Sequence, residues 1–174
     1  MIITAGEFKG QKIIAPDEKI TRPTLSKVRM AVFNTLQAQI DFEGKSFFDM
    51  FAGSGIMGLE ALSRGFSHLT ACEKNPKAAA VLKENFRKFS RLRDIKLITG
   101  DSLKLAEKMT GQFDVIYIDP PYFSGIYETS LRAVRHLGGL VILEHVVEVD
   151  FSGWEVVKQK RYADKYITFL RQHI

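Results

Sequence analysis

The sequence predicts an α/β fold: a mostly parallel sheet with helices on both faces, a small N-terminal hairpin ahead of it and a C-terminal antiparallel hairpin behind. Three observations carry that prediction. From Ser46 onward, short apolar runs alternate with segments of helical periodicity, the order that builds a parallel sheet from strand–helix–strand units. A glycine loop, Gly53-Ser54-Gly55, joins the first apolar run to the first helix of that series. Asp119-Pro120-Pro121-Tyr122 directly follows the run Val115-Ile116-Tyr117-Ile118, and two prolines without N–H groups take the chain out of a strand as a rigid extended stub. At 174 residues the chain reads as one domain, 1–174, with 1–42 as a hairpin and helix extension and 43–174 as the core.

The elements follow in order. Ile2 to Phe8 and Gln11 to Ile14 flank Lys9-Gly10 and read as the small hairpin. Pro16 to Pro23 is a loop, and Thr24 is the expected N-cap of a helix with Val28, Val32, Phe33 and Leu36 on one face. Phe47-Phe48 form a short buried strand, and Ile56 to Ser63 the helix after the glycine loop. His68 to Cys72 is the second strand. Asn75-Pro76 supplies N-cap and first position of the next helix, whose Ala78, Leu82, Phe86 and Phe89 share a face. Ile95 to Thr99, Phe113 to Ile118 and Leu140 to Glu144 are the remaining parallel strands. Trp154 to Lys160 and Tyr166 to Leu170 bracket Ala163-Asp164 as an antiparallel pair at the sheet edge.

Ligands bind open α/β sheets outside the carboxyl ends of the strands, where both loops lie. Gly53 and Gly55 permit a tight turn whose backbone can approach a ligand, with helix N–H groups pointing at it. Gly53, Gly55 and Gly58 match G-x-G-x-x-G. Glu73, 20 residues beyond Gly53, ends the next strand, where a carboxylate accepts hydrogen bonds from the two hydroxyls of a ribose. The pattern admits a nicotinamide dinucleotide as well as S-adenosyl-L-methionine. Three features favour the sulfonium cofactor. Asp49 places an acid ahead of the glycines, which repels a pyrophosphate but suits an ammonium or sulfonium group. Roughly a hundred residues follow the loop, too few for a second dinucleotide half plus a typical substrate domain. Hydride transfer, finally, has no evident use for Asp-Pro-Pro-Tyr. That stub fixes one carboxylate, one unpaired proline carbonyl and one aromatic face in mutual register. Two acceptors beside a stacking surface suit a planar group bearing an NH2, such as a nucleobase amine. A Pro-Pro turn closed by a surface Tyr explains the four residues taken alone equally well.

Taken in order, these segments resemble a family. The chain looks like a Rossmann-like class I S-adenosylmethionine-dependent methyltransferase acting on an exocyclic amine. More narrowly, it is similar to the bacterial enzymes that methylate the N2 amine of one guanine in 16S ribosomal RNA. The resemblance covers nearly the whole length: Ile2-Ile3-Thr4-Ala5-Gly6, Phe8-Lys9-Gly10, Arg22-Pro23-Thr24 with Val28-Arg29, Asp49 through Gly55, Gly58 through Gly65, Glu73-Lys74-Asn75, Gly100-Asp101 and Asp119 through Tyr122. The glycine loop is shared by many methyltransferases; the ordered set with Arg-Pro-Thr is far more specific. Ser26 and Met30 depart from it, standing where acidic residues are expected.

The resemblance implies a role for each residue. Asp119 and the Pro120 carbonyl would accept the N–H groups of the amine, and Tyr122 would stack on a base that is unpaired or flipped out. Glu73, with Lys74 beside it, would serve the ribose, and Asp101 with the Ser102 backbone the adenine edge. Asp49, Phe51, Gly53 and Gly55 would surround the methionine moiety. For Asp101 a plain turn or helix cap is an equal alternative on its own. Arg22 and Arg29 are the candidates for specific RNA contact.

Composition agrees. A net charge of +5 and a pI near 9.3 favour a polyanionic partner. Eight basic residues between Lys74 and Lys96, against Glu84 and Asp94, read as a solvated helix face or a phosphate footprint. Cys72, the single cysteine, sits in an apolar run and reads as a small core residue. His68, His136, His145 and His173 lack metal-ligand spacing, and a structural role is expected of His145. No signal peptide or transmembrane-length run is visible, so the expectation is a cytoplasmic monomer whose partner is 16S ribosomal RNA, naked or within a small-subunit particle. Two rivals stand beside this one: an adenine-N6 or protein glutamine-amide methyltransferase, and a non-catalytic RNA-binding module. The lack of a target-recognition domain speaks against a sequence-specific DNA enzyme. The intact cofactor and Asp-Pro-Pro-Tyr motifs speak against the relic module.

Overall fold

Residue alternation along each parallel strand decides the layers of this molecule. The computed structural model describes residues 1–17 and 26–173. Strands β1 (Ser46–Asp49), β2 (His68–Glu73), β3 (Asp94–Thr99), β4 (Val115–Ile118) and β5 (Leu140–His145) are parallel, and β6 (Trp154–Tyr162) and β7 (Lys165–Gln172) add an antiparallel pair. The sheet order is β3-β2-β1-β4-β5-β7-β6. Phe47, Val115, Tyr117, Leu140 and Ile142 face one side. There they meet α1 (Ser26–Gln37), α2 (Ile56–Ser63) and α3 (Pro76–Arg87) through Phe33, Leu36, Leu59, Leu82 and Phe86. Their immediate neighbours Phe48, Ile116, Ile118, Val141 and Leu143 face the other side. These pack on α4 (Ser102–Lys108) and α5 (Ile126–Val134) through Ala106, Ile126, Leu131 and Val134. A strand buried on both faces must be apolar at every position, which is why β4 and β5 read as continuous apolar runs.

The strand order reverses between β1 and β4, because the chain leaves β1 toward β2 and β3 and returns on its other side. A crevice opens outside the carboxyl ends at such a switch point. Both loops singled out in the sequence leave the sheet there.

The local signals are mostly seen in place. Asn75 caps α3, its Oδ1 accepting from the N–H groups of Lys77 and Ala78 at 2.9 and 3.1 Å, with Pro76 at the first position. The helix over 56–63 has the expected bounds. Thr24 lies outside the described residues, and α1 is described from Ser26, with Ser26 and Met30 exposed. The terminal hairpin runs longer than expected, to Tyr162 and from Lys165, turning through Ala163 at φ 54° and Asp164.

The N-terminal hairpin is a correction in degree. It narrows to one antiparallel bridge, Ile2 with Lys12, and residues 5–10 are turns. Gly10 N–H still donates across the hairpin to the Ile3 carbonyl at 2.9 Å, but backbone groups of Ala5, Glu7 and Phe8 bond to the end of α2. Glu7 N–H donates to the Ser63 carbonyl at 2.8 Å, Phe8 N–H to Ser63 Oγ at 2.9 Å, and that hydroxyl to the Ala5 carbonyl at 2.6 Å. Gly6 makes this docking possible: at φ 82° it lies so near α2 that a Cβ would stand 1.9 Å from the Ser63 carbonyl oxygen.

Candidate active site

One cleft of about 660 Å³ gathers the expected residues at the carboxyl ends of β1, β2, β4 and β5. That volume lies within the roughly 300–1,000 Å³ usual for small-ligand sites. Asp49, Phe51, Gly53, Glu73, Lys74, Asp101 and Ser102 line one end, and Asp119, Pro120 and Tyr122 the other.

At the first end, the glycine loop is held open by a carboxylate. Glu73 accepts from the Gly53 N–H at 2.7 Å through one oxygen and from the Asn75 N–H at 3.0 Å through the other, which ties the end of β2 to the loop. Each oxygen keeps a lone pair for a further donor. Asp101 is a helix cap that also lines the cleft: its Oδ1 caps α4 through the Lys104 N–H at 3.2 Å, and its Oδ2 lies 3.7 Å from Lys74 Nζ. The Lys104 backbone hydrogen bond holds the Asp101 carboxyl below its ordinary pKa.

Asp49 is the least satisfied group. It is buried in the cleft wall, and its Oδ1 has no hydrogen-bond partner among the described residues. Burial first, and then the nearby Asp119, Glu73 and Glu144 carboxylates, push its carboxyl well above the usual range. A buried acid beside other acids is poorly placed to ionise alone and gains from an incoming cation. Five carboxylates face two ammonium groups in this cleft. The donor set therefore fits a ligand carrying ammonium and sulfonium charge and repels a pyrophosphate.

Gly55 is a correction. It does not line the cleft; at φ 83° it turns toward α3, where a Cβ would stand 2.3 Å from Leu82 Cδ1 and 2.7 Å from Phe86 Cε1. Its absent side chain serves close packing of the loop on α3, not the ligand.

At the second end, the Asp-Pro-Pro-Tyr stub leaves β4 as expected. Tyr122 is 58% exposed, its ring centroid 5.8 Å from that of Tyr127, so one face is open at the mouth. The Asp119 side chain is 23% exposed and does not stand alone. Lys165 Nζ, from β7, lies 3.6 Å from Asp119 Oδ1 and donates to Glu144 Oε2 at 2.8 Å. Tyr117 Oη donates to the other Glu144 oxygen. Burial and the Glu144 carboxylate raise the Asp119 pKa to about 7, against the opposing pull of Lys165. Burial pulls the Lys165 ammonium down, but Asp119 and Glu144 outweigh it and hold the pKa above its ordinary value.

Sequence reasoning missed Lys165, Glu144 and Tyr127 as cleft residues. Glu144 and Lys165 are 21 positions apart and meet only because β7 pairs with β5, opposing Glu144 to Ile167. The charge inside an apolar strand, at the end of Leu140-Val141-Ile142-Leu143-Glu144, was the signal available. His145 does line the cleft, yet both ring nitrogens are engaged, with the Val147 carbonyl at 2.7 Å and Thr168 Oγ1 at 2.8 Å, which agrees with a structural role. Cys72 is buried, and burial pushes its thiol up to about 12.

The proposed RNA contacts fare differently. Arg22 lies outside the described residues. Arg29 is 2% exposed, donating to the Ile2 carbonyl at 2.7 Å with Nε 3.8 Å from Glu60, so it binds the N-terminal segment to α2 and presents no face to a phosphate. Of the basic run, Lys77, Lys83 and Arg87 sit on the exposed face of α3, while Arg93 pairs with Glu7 and covers the Phe8 ring. Among the described residues no group of three or more His, Cys, Asp or Glu is placed to hold a metal ion, and no helix is long and apolar enough to cross a membrane.

Residues 1–171 match the family described as conserved hypothetical protein 95. YlbH of Bacillus subtilis strain 168, named provisionally as an rRNA methyltransferase, is 33% identical over 162 residues, which cover 86% of this chain and 85% of that protein. Ribosomal RNA small subunit methyltransferase D of Escherichia coli K12 is 28% identical over 167 residues, covering 91% and 83%. The solved structure of an Escherichia coli protein described provisionally as the methyltransferase yhhF superposes with a TM-score of 0.87 over 99% of this chain and 98% of that one, at 23% identity. The seven-stranded sheet is that of the Rossmann-like class I methyltransferases.

Proposed function

The chain belongs to the conserved hypothetical protein 95 family, which includes the small-subunit ribosomal RNA methyltransferases D, and we propose that it transfers a methyl group from S-adenosylmethionine to the N2 amine of one guanine in 16S ribosomal RNA. One observation carries the reading. A single cleft joins an acidic end beside a glycine loop to the Asp-Pro-Pro-Tyr stub. The choice of guanine N2 rests on the sequence resemblance, since an adenine N6 offers the same NH2 to these acceptors.

When bound, the cofactor supplies a methyl group already activated by the sulfonium charge. The residues of this chain place the two partners. Asp49 answers positive charge, Glu73 offers its free lone pairs to ribose hydroxyls, and Asp101 with the Ser102 backbone serves the adenine edge. Tyr122 stacks on the target base, which must be unpaired or turned out to reach it. A guanine N2 is conjugated with its ring and is a weak nucleophile. Hydrogen bonds from its N–H groups to the Asp119 carboxylate and the Pro120 carbonyl favour a pyramidal nitrogen and stabilise the positive charge that develops there. The cofactor would give up its methyl group and remain as a neutral thioether, while the proton displaced from the amine would pass to Asp119 or to water. Alignment of the nitrogen lone pair opposite the sulfur is the main task left to the protein.

Transfer of labelled methyl to total RNA, ribosomal subunits and DNA, followed by nucleoside digestion, tests the reading. N2-methylguanine in small-subunit RNA is expected. N6-methyladenine as the only labelled product, or label found only in DNA or protein, overturns it. Isothermal titration with S-adenosylmethionine separates the non-catalytic module, for which no heat of binding is expected.

Glu73→Ala is expected to weaken cofactor binding by roughly 10–150-fold, the equivalent of losing about 1.5–3 kcal/mol of hydrogen bonding to a charged acceptor. Because Glu73 also holds the Gly53 N–H, Glu73→Gln is the informative companion. Its carbonyl oxygen can keep that bond while the charge is lost, so an intermediate affinity is expected. Unchanged affinity in folded Glu73→Ala would remove the residue from the cofactor site.

A further inference from the structure

We propose that Lys165 is a positioning residue for Asp119: its ammonium, held between the Asp119 and Glu144 carboxylates, keeps Asp119 ionised and turned toward the cleft as the acceptor for the incoming amine. The inference rests on the reading of Asp119 given above and adds a residue from outside the strand–loop motifs.

The geometry comes first. Lys165 opens β7, immediately after the Ala163-Asp164 turn, and antiparallel pairing of β7 with β5 brings it over the carboxyl end of the parallel sheet. Its Nζ is 2.8 Å from Glu144 and 3.6 Å from Asp119, and its side chain is 31% exposed on the cleft side. Glu144 is fully buried, with Tyr117 Oη on one oxygen and Lys165 on the other. Glu144 is thus fixed as an anchor in the cleft wall, and Lys165 is the more open member of the pair.

Electrostatics gives the arrangement its consequence. Every element packed around Asp119 contributes a titratable group: Asp49 from β1, Tyr117 from β4, Tyr122 on the stub itself, Tyr127 from α5, Glu144 from β5 and Lys165 from β7. Burial holds the pKa of His145, next to Glu144, below its ordinary value. Of these groups Lys165 alone carries positive charge. Without it, two carboxylates would face each other in a partly dry cleft and share a proton. A protonated Asp119 is a donor on one oxygen and loses its value as an anionic acceptor for an amine. The site therefore depends on Lys165 for the charge state on which its chemistry relies.

The sign of the pH effect follows. Activity requires ionised Asp119, so kcat/KM should fall as pH drops through about 7, the position set by burial and Glu144 against Lys165. Removing the cation lifts the carboxyl further.

The test compares wild type with Lys165→Met and Lys165→Arg as full-length chains. It measures kcat/KM against pH and, separately, titrates the Asp119 carboxyl by 13C NMR in the protein alone, with Asp119→Asn to assign the signal. For Lys165→Met, the acid limb of the profile and the carboxyl titration should both move up by roughly one pH unit or more, the lower end of the usual effect of an opposite charge. Lys165→Arg should return both close to wild type. A uniform loss of rate at all pH values with an unmoved carboxyl titration overturns the proposal, because a merely structural lysine would behave so. The NMR arm needs no RNA. If Asp119→Asn keeps full turnover, the functional reading of Asp119 fails, while the carboxyl titration still decides whether Lys165 governs its charge.

Discussion

Asp119→Ala is expected to lower kcat by roughly 10²–10³-fold while changing cofactor affinity far less, the pattern of an acceptor used chiefly in the transition state. Removing the side chain leaves Lys165 paired with Glu144 at 2.8 Å, so no buried ion loses its last partner. The fold should survive, and stability should move the other way. The Asp119 carboxyl is raised from its ordinary value to about 7, so between roughly pH 4 and 7 the folded chain binds more protons than the unfolded one and stability falls as pH rises. Deleting the group removes that penalty, and Asp119→Ala should melt at an equal or higher temperature than wild type at pH 8. Higher stability with lost turnover is the signature of a residue kept for function. Tyr122→Ala, by contrast, should impair placement of the base, costing about 1–3 kcal/mol of stacking. Near-normal kcat in a folded Asp119→Ala protein would end the catalytic assignment.

The centre of the parallel core was legible because β1, β4 and β5 are buried on both faces. Phe47 and Phe48 enter opposite layers, as do Val115 and Ile116, so the continuous apolar run is itself the mark of a sheet with helices on both sides. Asn75-Pro76 was legible because capping is local. The N-terminal turns were not: Glu7 and Phe8 look like part of a hairpin until one sees that Ser63, more than fifty residues away, takes their hydrogen bonds. The register of a lone bridge has no sequence period to announce it.

The site divides along the same line. Asp49, Gly53, Glu73, Asp101 and Asp119 could be placed at the cleft from sequence because each ends or follows a parallel strand at its carboxyl end, a rule that sequence order expresses. Gly55 was misplaced because a glycine needed for packing against Leu82 and one needed for ligand approach look alike in sequence. Lys165 was missed because its partners come from β4 and β5, and an antiparallel return over a parallel sheet can set many residues beside Asp119. Arg29 was read as an RNA contact for the opposite reason: a basic residue near a motif is assigned to the surface, and nothing local reveals that Glu60 waits for it inside.

Glu60→Ala is expected to be the most destabilising of the substitutions considered, at about 3–5 kcal/mol, because it removes a buried carboxylate that two arginines approach. Glu60 lies on α2 and is 0% exposed. Its oxygens accept the Thr4 N–H at 2.9 and 3.2 Å and the Thr4 hydroxyl; Arg64 approaches at 3.2 Å and Arg29 at 3.8 Å. Arg64 also covers the Phe33 ring, 5.2 Å from its centroid, so the cluster ties α1, α2 and the N-terminal segment together. Substitution with alanine removes the carboxylate that the Arg29 and Arg64 charges share. For a chain of this size the loss corresponds to a fall in Tm of roughly 6–20 °C. Glu60→Gln should fall between, since the amide oxygen can still accept from Thr4 but cannot answer two cations. Glu60, Arg29 and Arg64 do not line the cleft, so methyl transfer per folded molecule should stay close to wild type at a temperature where both proteins are native. A Tm unchanged within a few degrees in Glu60→Ala would show that the cluster does not anchor the N-terminal segment.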